Sequence, residues 1–222
     1  MRDLLLQLTR EMATAASLEV LLQKMVDAAL HIVPAADKCV IHLLDRSGAR
    51  LETRFCSRPS PLAGESPGMP ANAGIAGRAL RERRTIAVAD VTREPDFVAL
   101  RSGNDLRSLL VAPLYAAEIP LGTLSLNSHR VAAFSPADAQ NISTLAAQAA
   151  VVIRQTQLRL EATREQQRSQ AIIESIADGL VLVDGEGRIE RLNPALRHML
   201  ELQDSPLPLP CPPHDPACPP AL

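Results

Sequence analysis

Cysteine and histidine are the residues best suited to hold a metal or attack a substrate, and they are sparse in this 222-residue chain. The four cysteines are Cys39, Cys56, Cys211 and Cys218, and the five histidines are His31, His42, His129, His198 and His214. Cys211, His214 and Cys218 lie in a proline-rich stretch without a fourth ligand, so we expect no metal site there. No glycine-rich phosphate loop with a Lys is present. We therefore expect no catalytic or metal-binding residues.

Composition excludes several classes of function. Apolar residues make up 46% of the chain, but it contains no Trp, one Tyr and three Phe, so a stacking platform for nucleic acid is not expected. The formal net charge is −2, with acidic and basic residues intermixed, which also disfavours nucleic acid. No apolar run approaches the ~20 residues that span a bilayer, so we expect no membrane insertion and a cytoplasmic protein.

Hydrophobic spacing predicts the elements that must position any site. Helices are predicted over 3–13 and from an N-cap at Ser17 to Pro34. Strands are predicted over 38–45, 49–57, 85–89, 108–114 and 120–127, with hairpins joining the first two and the last two. Between them we predict an irregular loop over 58–71, a helix over 73–83 capped by Asn72, and a loop over 90–107 with a helical turn near Phe97.

A long helix is predicted to start at Pro136, capped by Ser135, and to continue to about residue 176. Its first half has an apolar face, and a heptad reading of its second half is largely polar. A weak coiled coil and a solvated single helix are both compatible with that pattern. Strands over 180–183 and 188–192 and a helix opened by Asn193 follow. The proline-rich residues after Gln203 are predicted to be disordered.

This order of elements resembles that of a GAF domain. The segments that carry the resemblance are GIAGRALRERRTIAVADV (74–91), RSLLVAPL (107–114), IPLGTLSLN (119–127) and FSPADAQNISTLAAQAAVVI (134–153). The resemblance implies an α+β fold in which terminal helices pack on one face of an antiparallel sheet and a pocket lies on the other. It covers residues 1–156, and we read residues 157–171 as a connecting signalling helix.

The segment IIESIADGLVLVDGEGRIERLNPALRHML (172–200) resembles the opening of a PAS domain. It supplies two strands and the start of a helix, which cannot close a sheet over a pocket. We therefore assign residues 172–203 to a partial PAS domain, expect the chain to be truncated, and assign 204–222 to a disordered tail.

The GAF resemblance also implies where a ligand would bind. In that fold the ligand sits on the sheet face away from the long helices, under the connections of residues 72–107. The candidate ligand-binding residues are Asp90, Phe97, Arg107, Ser108, Ser125 and Asn127. Ser125 and Asn127 alternate with apolar residues and so share one sheet face. The alternative is that Arg107 is a surface residue and that Ser125 only satisfies backbone groups.

Specific ligands of GAF relatives fit less well. Relatives that bind cyclic nucleotides carry an Asn-Lys…Phe-x-x-x-Asp-Glu signature. Asn127, Phe134 and Asp138 match it, but Ser128 replaces the Lys and Ala139 replaces the Glu. Relatives that bind bilins need an attachment Cys, and residues 89–110 contain none. The identity of any ligand or cofactor is therefore left open.

The combined resemblance implies a sensory module, most similar to the input region of a sensor histidine kinase in a two-component system. It would bind a small molecule, relay through the long helix, and form a homodimer through the N-terminal and long helices. The second interpretation is a structural dimerisation module with an empty pocket. The third is a small redox enzyme similar to methionine sulfoxide reductases, for which Cys39 and Cys56 on adjacent strands would be the candidate thiols.

Overall fold

The computed structural model describes residues 17–57, 68–98, 105–185, 189–200 and 202. The chain divides into two compact units, residues 1–158 and residues 159–222. The helix predicted over 3–13, most of the loop over 58–71 and the tail over 204–222 lie outside the described residues. Among the helices that are described, none is both long and apolar enough to cross a bilayer.

Helix α1 runs over Leu18–Ile32. The Ser17 hydroxyl oxygen accepts a hydrogen bond from the Val20 amide at 3.3 Å, which confirms the predicted N-cap. The helix ends before Pro34, as predicted, because a proline lacks the amide that would continue it. Its buried residues are Leu21, Leu22, Met25, Val26, Ala28 and Ala29.

Six antiparallel strands form the sheet of the first unit: β1 Lys38–Leu44, β2 Arg50–Cys56, β3 Met69–Pro70, β4 Ile86–Val88, β5 Ser108–Ala116 and β6 Ile119–Ser128. Their order across the sheet is β3-β2-β1-β6-β5-β4. Both predicted hairpins, β1–β2 and β5–β6, are confirmed. The prediction of an irregular loop over 58–71 is wrong at its end, because Met69 and Pro70 pair with Leu51 and Arg50.

Strands β1 and β6 approach each other closely at Gly122. Its φ is +154°, and a Cβ at this position would lie 2.0 Å from the carbonyl oxygen of His42. Only a residue without a side chain fits there. The next residue of β6, Thr123, lies directly across from His42. The close approach therefore brings two polar residues together at the centre of the sheet.

Helix α2 runs over Gly74–Glu82 and packs over β5 and β6. The prediction that Asn72 caps it is wrong: the N-cap residue is Ala73, and no side chain bonds to the first amides. The backbone of Asn72 is used instead, since its carbonyl oxygen accepts a hydrogen bond from Arg81 Nη1 at 2.7 Å. A local sequence pattern cannot distinguish these two uses of an Asn.

The segment after β4 holds a short 3₁₀ helix at Val91–Arg93. The Asp90 carboxylate caps it by accepting a hydrogen bond from the Thr92 amide at 3.1 Å. A hydrogen-bonded turn follows where a helical turn is predicted, since the Phe97 amide donates to the Glu94 carbonyl oxygen at 3.0 Å. Arg78 Nη1 on α2 lies 3.0 Å from carboxylate oxygens of both Glu94 and Asp96. These two ion pairs of Arg78 connect α2 to the segment that carries Asp90.

The long helix α3 runs over Pro136–Ser175 and includes the predicted connecting segment. The Ser135 hydroxyl accepts a hydrogen bond from the Asp138 amide at 3.2 Å, and the Asp138 carboxylate accepts one from the Ser135 amide at 2.8 Å. This reciprocal cap confirms the predicted start. The buried residues of α3 are Ile142, Leu145, Ala146, Ala149, Ala150, Val152 and Ile153. All seven lie in the core of the first unit, so the domain itself covers this stripe.

The sheet of the first unit has two differently covered faces. On the helix-side face, alternate residues of β1, β5 and β6 pack against α1 and the first half of α3; they are Cys39, Ile41, Leu43, Leu110, Ala112, Leu114, Leu124 and Leu126. On the α2-side face, Ile86, Val88, Leu109 and Val111 pack against α2. This is the predicted α+β architecture.

In the second unit, β7 Val181–Val183 pairs antiparallel with β8 Ile189–Leu192, and α4 Pro194–Met199 follows. Asn193 is the predicted cap of α4, and its Oδ1 accepts hydrogen bonds from the amides of Leu196 at 3.0 Å and Leu180 at 2.8 Å. Its Nδ2 donates to the carbonyl oxygens of Asp178 at 2.9 Å and Ile176 at 3.2 Å. One buried amide thus joins the residues after α3 to the hairpin.

Candidate functional site

A row of polar side chains crosses the centre of the α2-side face, and we call it the polar row: His42 on β1 with Thr123, Ser125 and Asn127 on β6. Leu124 and Leu126 point to the helix-side core, so the residues that alternate with them face the other way. His42 lies opposite Thr123, Val40 opposite Ser125, and Lys38 opposite Asn127. The row therefore runs along the seam between β1 and β6.

Three residues of the polar row are buried and Asn127 is partly buried, and several of their polar atoms lack hydrogen-bond partners. Thr123 is 0% exposed, and His42 and Ser125 are each 6% exposed. Both ring nitrogens of His42, Oγ1 of Thr123 and Oδ1 of Asn127 have no hydrogen-bond partner in the structure. A buried polar group without a partner costs about 1–3 kcal/mol. Groups of this kind need a water or a ligand to account for them.

The imidazole of His42 is held in its neutral form. Burial, aided by the positive charge of Lys38, lowers its pKa to about 4. At neutral pH the ring therefore offers one donor nitrogen and one acceptor nitrogen. A neutral, unpartnered ring of this kind is available for a ligand rather than for a salt bridge.

A charged pair stands beyond the Asn127 end of the row. Arg107 precedes β5, and its Nη2 lies 3.1 Å from Oδ2 of Asp90. Hydrogen bonds from the Thr92 hydroxyl and from Arg107 lower the pKa of the Asp90 carboxyl to about 2. The Asp90 carboxyl is therefore ionised at neutral pH, and it already pairs with the Arg107 guanidinium.

The six predicted site residues fall into separate places. Ser125 and Asn127 share the α2-side face, as the alternation predicts, and Phe97 packs against the α2-side core. Asp90 and Arg107 form their own ion pair. Ser108 alternates with Leu109 and so lies on the helix-side face, and its buried hydroxyl donates to the Arg130 carbonyl oxygen at 2.7 Å. We therefore exclude Ser108 from the candidate site.

His42 and Thr123 are the two residues of the row that sequence reasoning missed. His42 appears there only as one of the five histidines, and Thr123 is not singled out. The available signal is alternation: each is polar within a strand whose alternate residues are apolar. Their missing partners depend on tertiary packing, which the pattern does not contain.

The two cysteines of the first unit do not form a pair. Cys39 lies in the helix-side core at 0% exposure, and burial raises the pKa of its thiol far above the usual range. Cys56 lies opposite Val40, which places it on the other face of the sheet. No disulfide joins Cys39 to Cys56. Within the described ranges no group of His, Cys, Asp and Glu side chains could hold a metal ion.

A separate cleft of about 250 Å³ lies at the β4 edge of the sheet and is lined in part by Arg83, Thr85, Tyr115 and Ser143. Its cations are already engaged. The Arg83 guanidinium lies 5.1 Å from the centre of the Tyr115 ring and pairs with Glu118, and Arg84 pairs with Glu82 at 2.5 Å. One atom of its lining, Oγ1 of Thr85, lacks a hydrogen-bond partner, compared with four such atoms in the polar row.

Comparisons with known proteins agree with this architecture. Residues 15–154 match the family model of the GAF domain, and residues 167–221 match that of the PAS domain. No curated protein matches the chain at a significant level.

Solved structures resemble it in fold. The GAF domain of a phosphoenolpyruvate-protein phosphotransferase from Acinetobacter superposes with a TM-score of 0.63 at 22% identity, over 70% of this chain and 93% of that one. Free methionine-R-sulfoxide reductase from Neisseria meningitidis gives 0.61 at 22% identity, over 71% and 90%. The GAF domain of a two-component sensor histidine kinase from Bacillus halodurans gives 0.53 at 24% identity, over 65% and 99%. Because the GAF model covers more than half of the residues, this chain belongs to the GAF domain family and also carries a PAS match in its second unit.

Proposed function

We propose that this chain is the sensory input region of a signalling protein, in which the GAF domain binds a small molecule on its polar row. The observation that carries the proposal is the set of buried polar atoms without partners on His42, Thr123 and Asn127. A domain selected only for stability would fill these positions with apolar side chains, since buried orphan groups are costly. A ligand that bonds to them recovers that cost when it binds.

The binding event would be relayed through α3. This helix contributes Ile142 and Ile153 to the core that packs on the back of the same sheet, and it continues to Ser175. In the second unit, the Asn193 amide bonds to the carbonyl oxygens of Ile176 and Asp178, directly after the helix. A shift or rotation of α3 would therefore be transmitted to the PAS hairpin through these hydrogen bonds of Asn193.

The parent protein is proposed to be a sensor histidine kinase of a two-component system. Support comes from the succession of GAF and PAS matches and from the likeness to the GAF domain of such a kinase. We propose that this region has no enzymatic activity and that it works in the cytoplasm. Cys39 and Cys56 are not joined in a disulfide, which is consistent with a reducing compartment.

We also propose that the region works as a homodimer. Ala149 of α3 is 0% exposed, so the contact would use another face of this helix. Val151 and Leu158 are one heptad apart and are 48% and 47% exposed. A second copy of α3 would cover this apolar pair.

The two other interpretations have less support. A purely structural dimerisation module has no use for unpartnered groups on the sheet face away from its helices. A redox enzyme similar to the methionine-R-sulfoxide reductases would need a reactive thiol. Cys39 is buried and protonated, and Cys56 lies on the opposite face. We therefore favour sensing.

Native mass spectrometry of the chain purified gently from its host tests the proposal. We expect a bound small molecule on the wild type that is lost in Ser125→Leu, which fills the middle of the polar row. Ser143→Leu makes the same change in the separate cleft on α3 and should keep the molecule. A wild type that is always empty, or a molecule retained equally by both variants, would contradict ligand binding at the row.

A further inference from the structure

We propose that the polar row selects a ligand through an uncharged group that both donates and accepts hydrogen bonds, as a carboxamide or cyclic amide does. The inference rests on the proposed function and specifies its chemistry. The contact residues would be His42 and Thr123, and they would set ligand specificity.

The inner pair of the row has matched donors and acceptors. His42 and Thr123 are directly opposed across β1 and β6 and are both at least nine-tenths buried. The neutral imidazole offers one donor and one acceptor, and the Thr123 hydroxyl can do both. All three of their polar side-chain atoms lack partners. An amide presents a carbonyl acceptor beside an N–H donor and is complementary to this set.

A cationic group on the ligand would find no counter-charge at the row. The acidic side chains at the two ends of β1 are already hydrogen-bonded. Asp45, three residues beyond His42, accepts hydrogen bonds from the Ser47 hydroxyl at 2.7 Å and the Ala49 amide at 3.0 Å. Asp37 accepts hydrogen bonds from the Ser128 hydroxyl at 2.9 Å and the His129 amide at 2.8 Å, and Ser128 lies on the helix-side face. Asp90 pairs with Arg107. A buried cation without a partner is strongly disfavoured.

An anionic group is disfavoured at the inner pair for the same reason. Lys38 lies on the same face of β1 as His42 but four residues away, about 13 Å along a strand, so its charge adds less than burial to the lowered His42 pKa. Arg107 is held by Asp90 and stands beyond the Asn127 end of the row. A carboxylate seated on His42 and Thr123 would be desolvated without a nearby positive charge. The geometry therefore favours a neutral ligand group there.

The test uses three probes of one shape and three charges: benzamide, benzoate and benzamidine. Titration of the labelled chain, followed by NMR shifts at pH 7.5, should show binding of benzamide at the signals of His42 and Thr123. We expect benzoate and benzamidine to bind at least about tenfold more weakly. Thr123→Val, which keeps the shape of the side chain, and His42→Phe should each weaken benzamide about tenfold, the value of one hydrogen bond in a buried site.

Matched controls are His31→Phe and Thr144→Val, which change an exposed histidine of α1 and a threonine of α3 away from the row. They should leave benzamide binding unchanged. Tighter binding of benzoate or benzamidine at the row would overturn the neutral class and leave the ligand-binding proposal standing. If no probe binds, the molecule found by native mass spectrometry decides: a charged group of that molecule on His42 overturns the inference, and an empty protein overturns both proposals.

Discussion

The two faces of the GAF sheet treat buried polar groups in opposite ways. On the helix-side face, the buried hydroxyl of Ser108 donates to the Arg130 carbonyl oxygen at 2.7 Å, and that of Ser128 donates to Asp37 at 2.9 Å. On the α2-side face, His42 and Thr123 are as deeply buried but have no partners. One sheet thus has a face that satisfies its polar groups and a face that leaves them open.

This difference separates stability from binding. The helix-side face joins α1, the sheet and α3 into one apolar core, and its few polar groups are bonded to nearby backbone or side chains. The α2-side face keeps unused donors and acceptors at a cost to the free protein. Natural binding sites commonly carry such a cost. The predictions below test whether the two faces respond as differently as this comparison requires.

The largest effect is expected from a charge placed in the helix-side core. Ala149→Glu puts a carboxylate at a position that is 0% exposed, and an unpaired buried charge costs about 3–5 kcal/mol. We expect most or all of the domain stability to be lost, as measured by urea denaturation followed by circular dichroism. Val151→Glu, two residues away on the exposed side of α3, is the control and should remain folded. Equal stability of the two variants would contradict the assigned core.

The second prediction uses pH to compare the faces. The pKa of His42 is about 4 in the folded protein and about 6.5 in the unfolded chain. Between these pH values the imidazole is protonated in the unfolded chain and neutral in the folded protein. The free energy of unfolding is unaffected by protonation of His42 well above pH 6.5, and it falls as the pH decreases from 6.5 towards 4. At about 1.4 kcal/mol per pH unit, the loss is about 2 kcal/mol between pH 7.5 and pH 5.

Urea denaturation at these two pH values measures this loss. His42→Phe should remove most of it, whereas His31→Gln, at an exposed position of α1, should not. A wild type whose stability is the same at both pH values would show that His42 is not held neutral by burial.

Much of the fold could be predicted from the sequence because the decisive signals are local. Short, largely apolar runs between turn residues define β1, β5 and β6, and the Ser17 and Ser135 caps define the starts of α1 and α3. The two-residue strand β3 could not be predicted, because its pairing with β2 is a tertiary contact with no periodic pattern. The cap at Asn72 failed for a related reason: backbone geometry, not residue type, decides which group of an Asn is used.

The candidate site was predicted only in part. Alternation correctly grouped Ser125 with Asn127 on one face. It could not assign Ser108, because the face of β5 that Ser108 occupies depends on the register of the β5–β6 hairpin, with Ser108 opposite Ser128. It also could not show that His42 and Thr123 lack partners, since burial and hydrogen bonding arise from packing against elements distant in sequence.

The third prediction exchanges one hydroxyl on each face. Ser108→Ala leaves the Arg130 carbonyl oxygen without its buried donor and should destabilise the domain by about 1 kcal/mol. Thr123→Val removes a hydroxyl that has no partner and should be neutral or stabilising by about 1 kcal/mol, or about 2–4 °C in melting temperature. Differential scanning calorimetry without ligand measures both. The comparison fails if Thr123→Val is as destabilising as Ser108→Ala.

A substitution on the exposed side of α3 is expected to change folding stability least. Its main effect should be on dimerisation. Val151 is 48% exposed and Leu158, seven residues on, is 47% exposed, whereas Ala149 and Val152 belong to the domain's own core. In a parallel dimer, Val151 of one copy would approach Val151 of the other, so Val151→Glu would place two like charges together. Folding stability should change by less than about 0.5 kcal/mol, as is usual for exposed positions.

Sedimentation equilibrium of Val151→Glu should show a shift from dimer towards monomer. Gln155→Glu, at another exposed position of α3, adds the same charge and should give a smaller shift. A wild type that is monomeric at high micromolar concentration, or a Val151→Glu dimer as tight as the wild type, would exclude this face of α3 as the contact.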